Sequence, residues 1–190
     1  MASELFTISQ ASEAEFEIKK SRFIGILIPC QSESEAIQQL NQLQQQYPDA
    51  SHLVFAYRIK SLKGIITRFH DAGEPSGTAG KPVFQHLAGK DLINLLCVVV
   101  RYFGGVKLGA GGLTRAYGNT AKKVIEASNI SEYIEYRSIK LELDYKDLQN
   151  FEYHLKKLDG IITQQDFSEK VSLIFKIPEE NIAKLENVLN

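Results

Sequence analysis

Hydrophobic and polar positions change their period several times along the chain. Phe16 to Ile28 is rich in apolar residues at Phe23, Ile24, Ile26, Leu27 and Ile28 and reads as a strand or hairpin arm. Ser32 then begins a helical pattern through Gln46, with Ala36, Ile37, Leu40 and Leu43 at helical spacing. Glu35 stands three residues after Ser32, which completes a capping box. Leu53–Ile59 and Ile65–Phe69 read as two strands joined at Ser61-Leu62-Lys63-Gly64. Pro82 suits the first turn of a helix running to about Ala88. Leu92–Tyr102 is continuously apolar, as a strand buried on both faces must be. Gly104 to Gly112 reads as a loop, followed by a helix whose stripe is Leu113, Ala116, Tyr117, Thr120, Ala121, Val124 and Ile125.

Past residue 130 the patterns are simpler. Ile139, Leu141, Leu143 and Tyr145 alternate with Lys140, Glu142 and Asp144, a half-buried strand. Asp147 to Leu158 is an amphipathic helix, and Gly160 is expected to end it in a left-handed cap. Ile161–Phe167 and Val171–Ile177 are two strands, and Pro178-Glu179-Glu180 opens a last helix. The order β-α-β-β-α is that of a ferredoxin-like fold without its final strand. Twelve of the 13 glycines precede residue 130. Residues 1–130 carry a net charge of +3 and residues 131–190 a net charge of −4. We therefore expect an α+β chain of two domains, 1–130 and 131–190.

Composition narrows the class. At 190 residues and 44% hydrophobic content the chain can bury a core without disulfide or metal staples. Cys30 and Cys97 sit beside apolar runs and read as buried free thiols. The run Leu95–Val100 is far shorter than the roughly 20 residues that span a bilayer, and no signal peptide is evident at the amino terminus. A cytoplasmic protein with no membrane partner is expected. A whole-chain charge of −1 argues against a wholesale polyanion binder. Yet Leu92 to Ile125 contains no acidic residue and holds Arg101, Lys107, Arg115, Lys122 and Lys123. A neutral total thus conceals a positive segment.

Two glycine-rich segments fall where chemistry is expected. The first, Phe69 to Pro82, ends at a helix start, where backbone N–H groups favour an anion. Ser76, Gly77, Thr78, Gly80 and Lys81 are its candidate anion contacts. It lacks the glycine and the Ser or Thr of a P-loop, since Pro75 and Pro82 stand there instead. The second, Arg101 to Arg115, joins a strand to a helix, and its candidates are Arg101, Gly104, Gly105, Lys107, Gly109, Gly111 and Arg115. Thr114 stands where a dinucleotide fingerprint needs its third glycine, so a nicotinamide site is not expected. Arg and Lys beside glycine amides, with Tyr102, Phe103 and Tyr117 nearby, suit a phosphate backbone and stacked bases. Lys122, Lys123 and Tyr117 read more simply as a solvated helix face and a core tyrosine. His70, Asp71, Glu74 and Ser76 are a weak catalytic or metal cluster, read more simply as turn residues. No cofactor, metal or catalytic residue is assigned.

The runs Asp71–Pro82 and Val98–Gly109, with Lys19–Phe23 and Gly111–Tyr117, resemble the IMPACT family, in particular its bacterial YigZ-like branch. The resemblance spans roughly residues 16–125. It implies an N-terminal βαβ-rich fold similar to the second domain of a small-subunit ribosomal protein and to domain IV of elongation factor G. The second part is similar to domain V of that factor, by element order rather than motif. The resemblance further implies a role in translation, through RNA, the ribosome or a protein partner. A non-catalytic binding protein is the leading expectation. The alternative is an enzyme or sensor that holds a small phosphorylated ligand on the glycine-rich loops.

Overall fold

A computed structural model of the chain describes residues 4–189. Its packing divides it into two compact units, one ending at Tyr133 and the other starting at Ile134.

The first unit runs β1 (Phe6–Ile8), β2 (Ser12–Ile18), β3 (Ser21–Pro29), α1 (Glu33–Gln46), β4 (His52–Ser61), β5 (Gly64–His70), α2 (Gly80–Gly89), β6 (Leu95–Tyr102), α3 (Gly109–Glu126) and β7 (Ile130–Glu132). Five strands form an antiparallel sheet in the order β2-β3-β6-β4-β5. Strands β3 and β4 both run against β6 and so run parallel to each other, with α1 as their crossover. Strands β5 and β6 flank β4 in the same way, with α2 between them. These are two split βαβ units. The short β1 and β7 pair only with each other as strands, so residues 130–132 remain with the first unit.

Strand β6 shows why both faces are covered. Leu95, Cys97 and Val99 enter a core shared with α2 and α3, while Leu96, Val98 and Val100 enter a second core beneath α1. Side chains alternate across a strand, so one apolar run supplies both layers. The same alternation on β4 sends Val54 and Ala56 to the α2/α3 side, and Tyr57 and Ile59 to the α1 side. Helix α1 starts as expected, with Glu35 N–H donating to Ser32 Oγ at 3.1 Å. The Glu35 carboxylate reaches back to Gln31 N–H at 2.8 Å, one residue earlier than in the usual box. The β2–β3 hairpin turns on Lys19 and Lys20, whose φ angles are 47° and 65°. Two consecutive positive φ values match the right-handed twist of the strands, and the hairpin adopts them here without glycine.

The second unit runs β8 (Tyr136–Leu143), α4 (Tyr145–Lys157), β9 (Ile161–Phe167), β10 (Val171–Pro178), a single 3-10 turn (Glu179–Asn181) and α5 (Ile182–Leu189). Its sheet order is β8-β10-β9, the ferredoxin-like arrangement with one strand fewer. Phe151, Leu155, Val171, Leu173, Phe175, Ile177 and Leu185 form its core. The left-handed residue after α4 is Asp159 (φ 56°), not Gly160. Gly160 serves close packing instead, since a Cβ there would lie 2.1 Å from Leu155 Cδ1.

Candidate functional site

The site grows from the carboxyl end of β6. The chain leaves the sheet at Tyr102 and must cross to α3 within residues 103–108. Gly104 lies directly on the β2–β3 turn: a Cβ at this position would stand 2.1 Å from the carbonyl of Lys20. Its N–H donates to Ser21 Oγ at 3.2 Å. Gly105 (φ 85°) and Gly109 (φ 73°) then make the two left-handed turns that lead into the helix. Gly109–Gly112, expected as loop, lie in the first turn of α3 itself. The apolar stripe from Leu113 to Ile125 anchors that helix strongly enough to carry three poor helix formers at its start. Leu108 at the N-cap offers no side-chain acceptor and no acid lies in the first turn, so among the described residues no side chain caps the first N–H groups of the helix.

The first glycine-rich segment is different. The Asp71 carboxylate accepts from Gly77 N–H (2.9 Å), Ala79 N–H (3.2 Å) and Gly80 N–H (2.8 Å). The amides expected to bind an external anion thus already hold one from their own chain. Burial works against the Asp71 charge, but the three amides outweigh it and hold the carboxyl below the usual carboxylate range. Thr78 donates its hydroxyl to Pro75 O at 2.6 Å, and Ser76 and Lys81 are exposed around this closed loop. His70 accepts Ala72 N–H on Nδ1 at 3.1 Å and stacks on Phe55. His70, Asp71 and Glu74 therefore do not converge. Among the described residues, no group of three or more His, Cys, Asp or Glu could hold a metal ion.

Glu74 lies in another place altogether, under α3. Arg101 follows Cys97 and Val99 in the strand alternation, so its side chain enters the α2/α3 core rather than solvent. Both Arg101 and Glu74 side chains are 5% exposed or less, and Nη1 meets Glu74 Oε1 at 2.5 Å. Tyr117 donates its hydroxyl to the same oxygen at 2.7 Å. Burial, joined by this bond to Glu74, pushes the tyrosine hydroxyl far above its usual range. Arg101 Nη2 donates to Ser21 Oγ at 3.4 Å, and its guanidinium lies 5.5 Å from the ring centres of both Phe23 and Phe103. Among the described residues, Arg101 Nε is buried and has no hydrogen-bond acceptor. His52 pairs with Arg101 across the β4–β6 ladder. Its Nδ1 donates to Ala72 O at 2.9 Å, which leaves Nε2 3.7 Å from Glu74 Oε1. Arg101, expected as an exposed phosphate contact, is thus a buried cation with an internal counterion.

The remaining charges sort by position along α3. Lys122 pairs with Glu126 at 3.8 Å, and Lys123 donates to Glu15 O at 2.8 Å, so these two serve the far end of the helix. Lys107 and Arg115 are exposed at its start. Lys107, Phe103, Leu108, His52, Glu74 and Arg101 line a cavity of about 390 Å³ that also touches the first residues of α3. Arg115 lines a neighbouring groove of about 250 Å³ together with Lys19, Phe16, Ile18 and Leu108. Leu108 is shared by both. Lys19, Lys20 and His52 were not singled out in the sequence as contacts. The run Lys19-Lys20 was the available signal for the turn, and the β4–β6 register alone brings in His52.

Among the described residues, no helix is long and apolar enough to cross a membrane. Residues 19–125 match the Impact N-terminal domain, and residues 141–190 match a domain of unknown function, DUF1949. An IMPACT family member of Haemophilus influenzae is 36% identical over 92% of this chain and 85% of its own length. The IMPACT family member YigZ of Escherichia coli is 33% identical over 88% of this chain and 83% of its own. A crystal structure of a hypothetical protein superposes with a TM-score of 0.71 at 30% identity, covering all of this chain and 92% of the other. With its matched domain spanning strands β3 to β6 and the cavity, and with relatives aligned over most of their length, the chain belongs to the IMPACT family, among members similar to YigZ.

Proposed function

We propose that the chain is a non-catalytic binding protein that regulates translation by holding RNA, free or within the ribosome. The observation that carries this reading is the set of exposed cations at the uncapped start of α3. Lys107 and Arg115 flank Leu108, Lys19 shares a groove with Arg115, and Lys20 is held against Gly104. Phe103 stands beside them with half of its surface exposed, a platform for an unpaired base. The chain from Leu92 to Ile125 brings no acid into this region. Four cations on a short surface suit a stretch of phosphate backbone, for which each contact adds about 0.7 to the salt slope on single strands.

The test is binding of a fluorescent single-stranded RNA across a salt series. Affinity should fall steeply with salt, with a slope near 3. Lys107→Glu and Arg115→Glu should weaken binding to all RNA sequences and flatten the slope. Unchanged affinity in both variants sinks the assignment. Co-purification from extract that survives nuclease treatment would point instead to a protein partner.

A further inference from the structure

We propose that the cavity beside α3 takes one unpaired guanine of the bound RNA, and that His52 and Glu74 select it. This rests on the RNA reading above and adds a base preference to it.

Two hydrogen-bond acceptors meet in the cavity wall. His52 lines the cavity, and its Nδ1 is committed to Ala72 O, which leaves Nε2 as a bare acceptor. Nε2 stands 3.7 Å from Glu74 Oε1, and neither atom brings a proton to the other. Glu74 lines the same cavity, with its side chain 4% exposed. Both hydrogen bonds to its carboxylate fall on Oε1. Among the described residues, the sealed side-chain N and O atoms without a partner are Arg58 Nε and Arg101 Nε. Oε2 also has no partner, so it keeps open surface. Arg101 balances the carboxylate charge, so Glu74 can accept from a base without setting a net negative charge against the RNA backbone.

Adjacent acceptors sort the four bases by their Watson–Crick edges. Guanine alone carries two neighbouring donors there, N1–H and the N2 amino group. Adenine and cytosine set a ring-nitrogen acceptor beside their amino group. Uracil sets a carbonyl on each side of its N3–H. Each of these three presses an acceptor against His52 Nε2 or Glu74 and leaves a group unpaired.

The rest of the lining holds a base in place. Phe103 keeps half of its surface exposed for stacking, and Leu108, Leu113 and Pro75 are apolar. Lys107 at the rim is an exposed cation for the phosphate of the same nucleotide. About 390 Å³ is ample for one base.

Fluorescence anisotropy with uridine heptamers carrying guanosine, adenosine, cytidine, uridine or inosine at the centre tests the proposal. The guanosine heptamer should bind at least fivefold more tightly than the adenosine, cytidine and uridine ones, as expected of a paired base edge. Inosine keeps N1–H and lacks the N2 amino group, so it should bind at least threefold more weakly than guanosine. His52→Phe keeps a ring in the wall and removes the acceptor, and the guanosine preference should fall below twofold. Each readout is a ratio between RNAs on one protein, so a partly unfolded sample does not mimic the effect. A guanosine preference below fivefold, inosine within threefold of guanosine, or a preference of twofold or more in His52→Phe would overturn the proposal and leave the RNA reading standing. Failure to bind any of the five heptamers would overturn both.

Discussion

Glu74 Oε1 accepts from Arg101 Nη1 at 2.5 Å and from Tyr117 at 2.7 Å, so one carboxylate oxygen ties a loop, a central strand and α3 together. Breaking a buried pair by removing one partner leaves the other charge uncompensated, at about 3–5 kcal/mol. Glu74→Gln should therefore lower unfolding stability by about that amount in a urea titration. Replacing both residues by methionine should recover most of it, because the desolvation of both charges then vanishes. A cost below about 1 kcal/mol for the single variant would show that water reaches the pair.

Asp71 makes an acid-sensitive joint. Its folded carboxyl titrates below its ordinary value of 3.8, so the unfolded chain binds the proton more readily. Its contribution is complete above the ordinary value and is lost as pH falls through the lowered one. Asp71→Ala should cost about 1–2 kcal/mol near neutral pH, as lost helix caps do. Asp71→Asn should flatten the acid limb of a stability–pH profile. An unchanged acid limb would place the titrating carboxyl elsewhere.

The glycines of the second segment have opposite expectations. Gly104→Ala drives a Cβ into the Lys20 carbonyl, and the backbone must move. A loss of about 1–3 kcal/mol is expected, as for other overpacked sites, with weaker RNA binding as the lysine turn shifts. Gly111 has open space around its would-be Cβ and no positive φ. Gly111→Ala should stabilise the chain by about 0.5 kcal/mol. Paired thermal melts would read both.

Both thiols should be silent in the folded protein. Burial pushes Cys97 up to about 12 and raises Cys30 as well, so neither forms thiolate near neutral pH. Reaction with a thiol reagent should require opening, rising with reagent concentration and levelling off at the unfolding rate. Fast labelling of a native fraction would contradict the burial of both sites.

Much of the scaffold was legible because local rules and burial agreed. Ser32 and Glu35 cap α1 as their spacing predicts, and the run ending at Tyr102 is a central strand. The site was harder to read because its partners are remote in sequence. Arg101 looks like a free cation within its acid-free segment, yet its counterion is Glu74, 27 residues earlier. Strand alternation from Cys97 and Val99 was the signal that it points inward. Asp71 looked like a turn former, and nothing local shows that it fills the amide nest six to nine residues on. Gly109–Gly112 read as loop by composition, and only packing of the later stripe makes them helix.

The strand order also sets a timetable. The β2–β3 and β4–β5 hairpins are local and complete by His70. Strand β6, which bridges them and places Arg101 opposite both Phe23 and His52, ends at Tyr102. A ribosome adding about 5–20 residues per second needs roughly 2 to 6 s to travel from one point to the other. During that interval two hairpins wait with the β3 and β4 edges unpaired, the state in which edge strands find wrong partners. The hazard for this protein lies in its synthesis, and a chain stalled between α2 and β6 is the species a chaperone would need to shield.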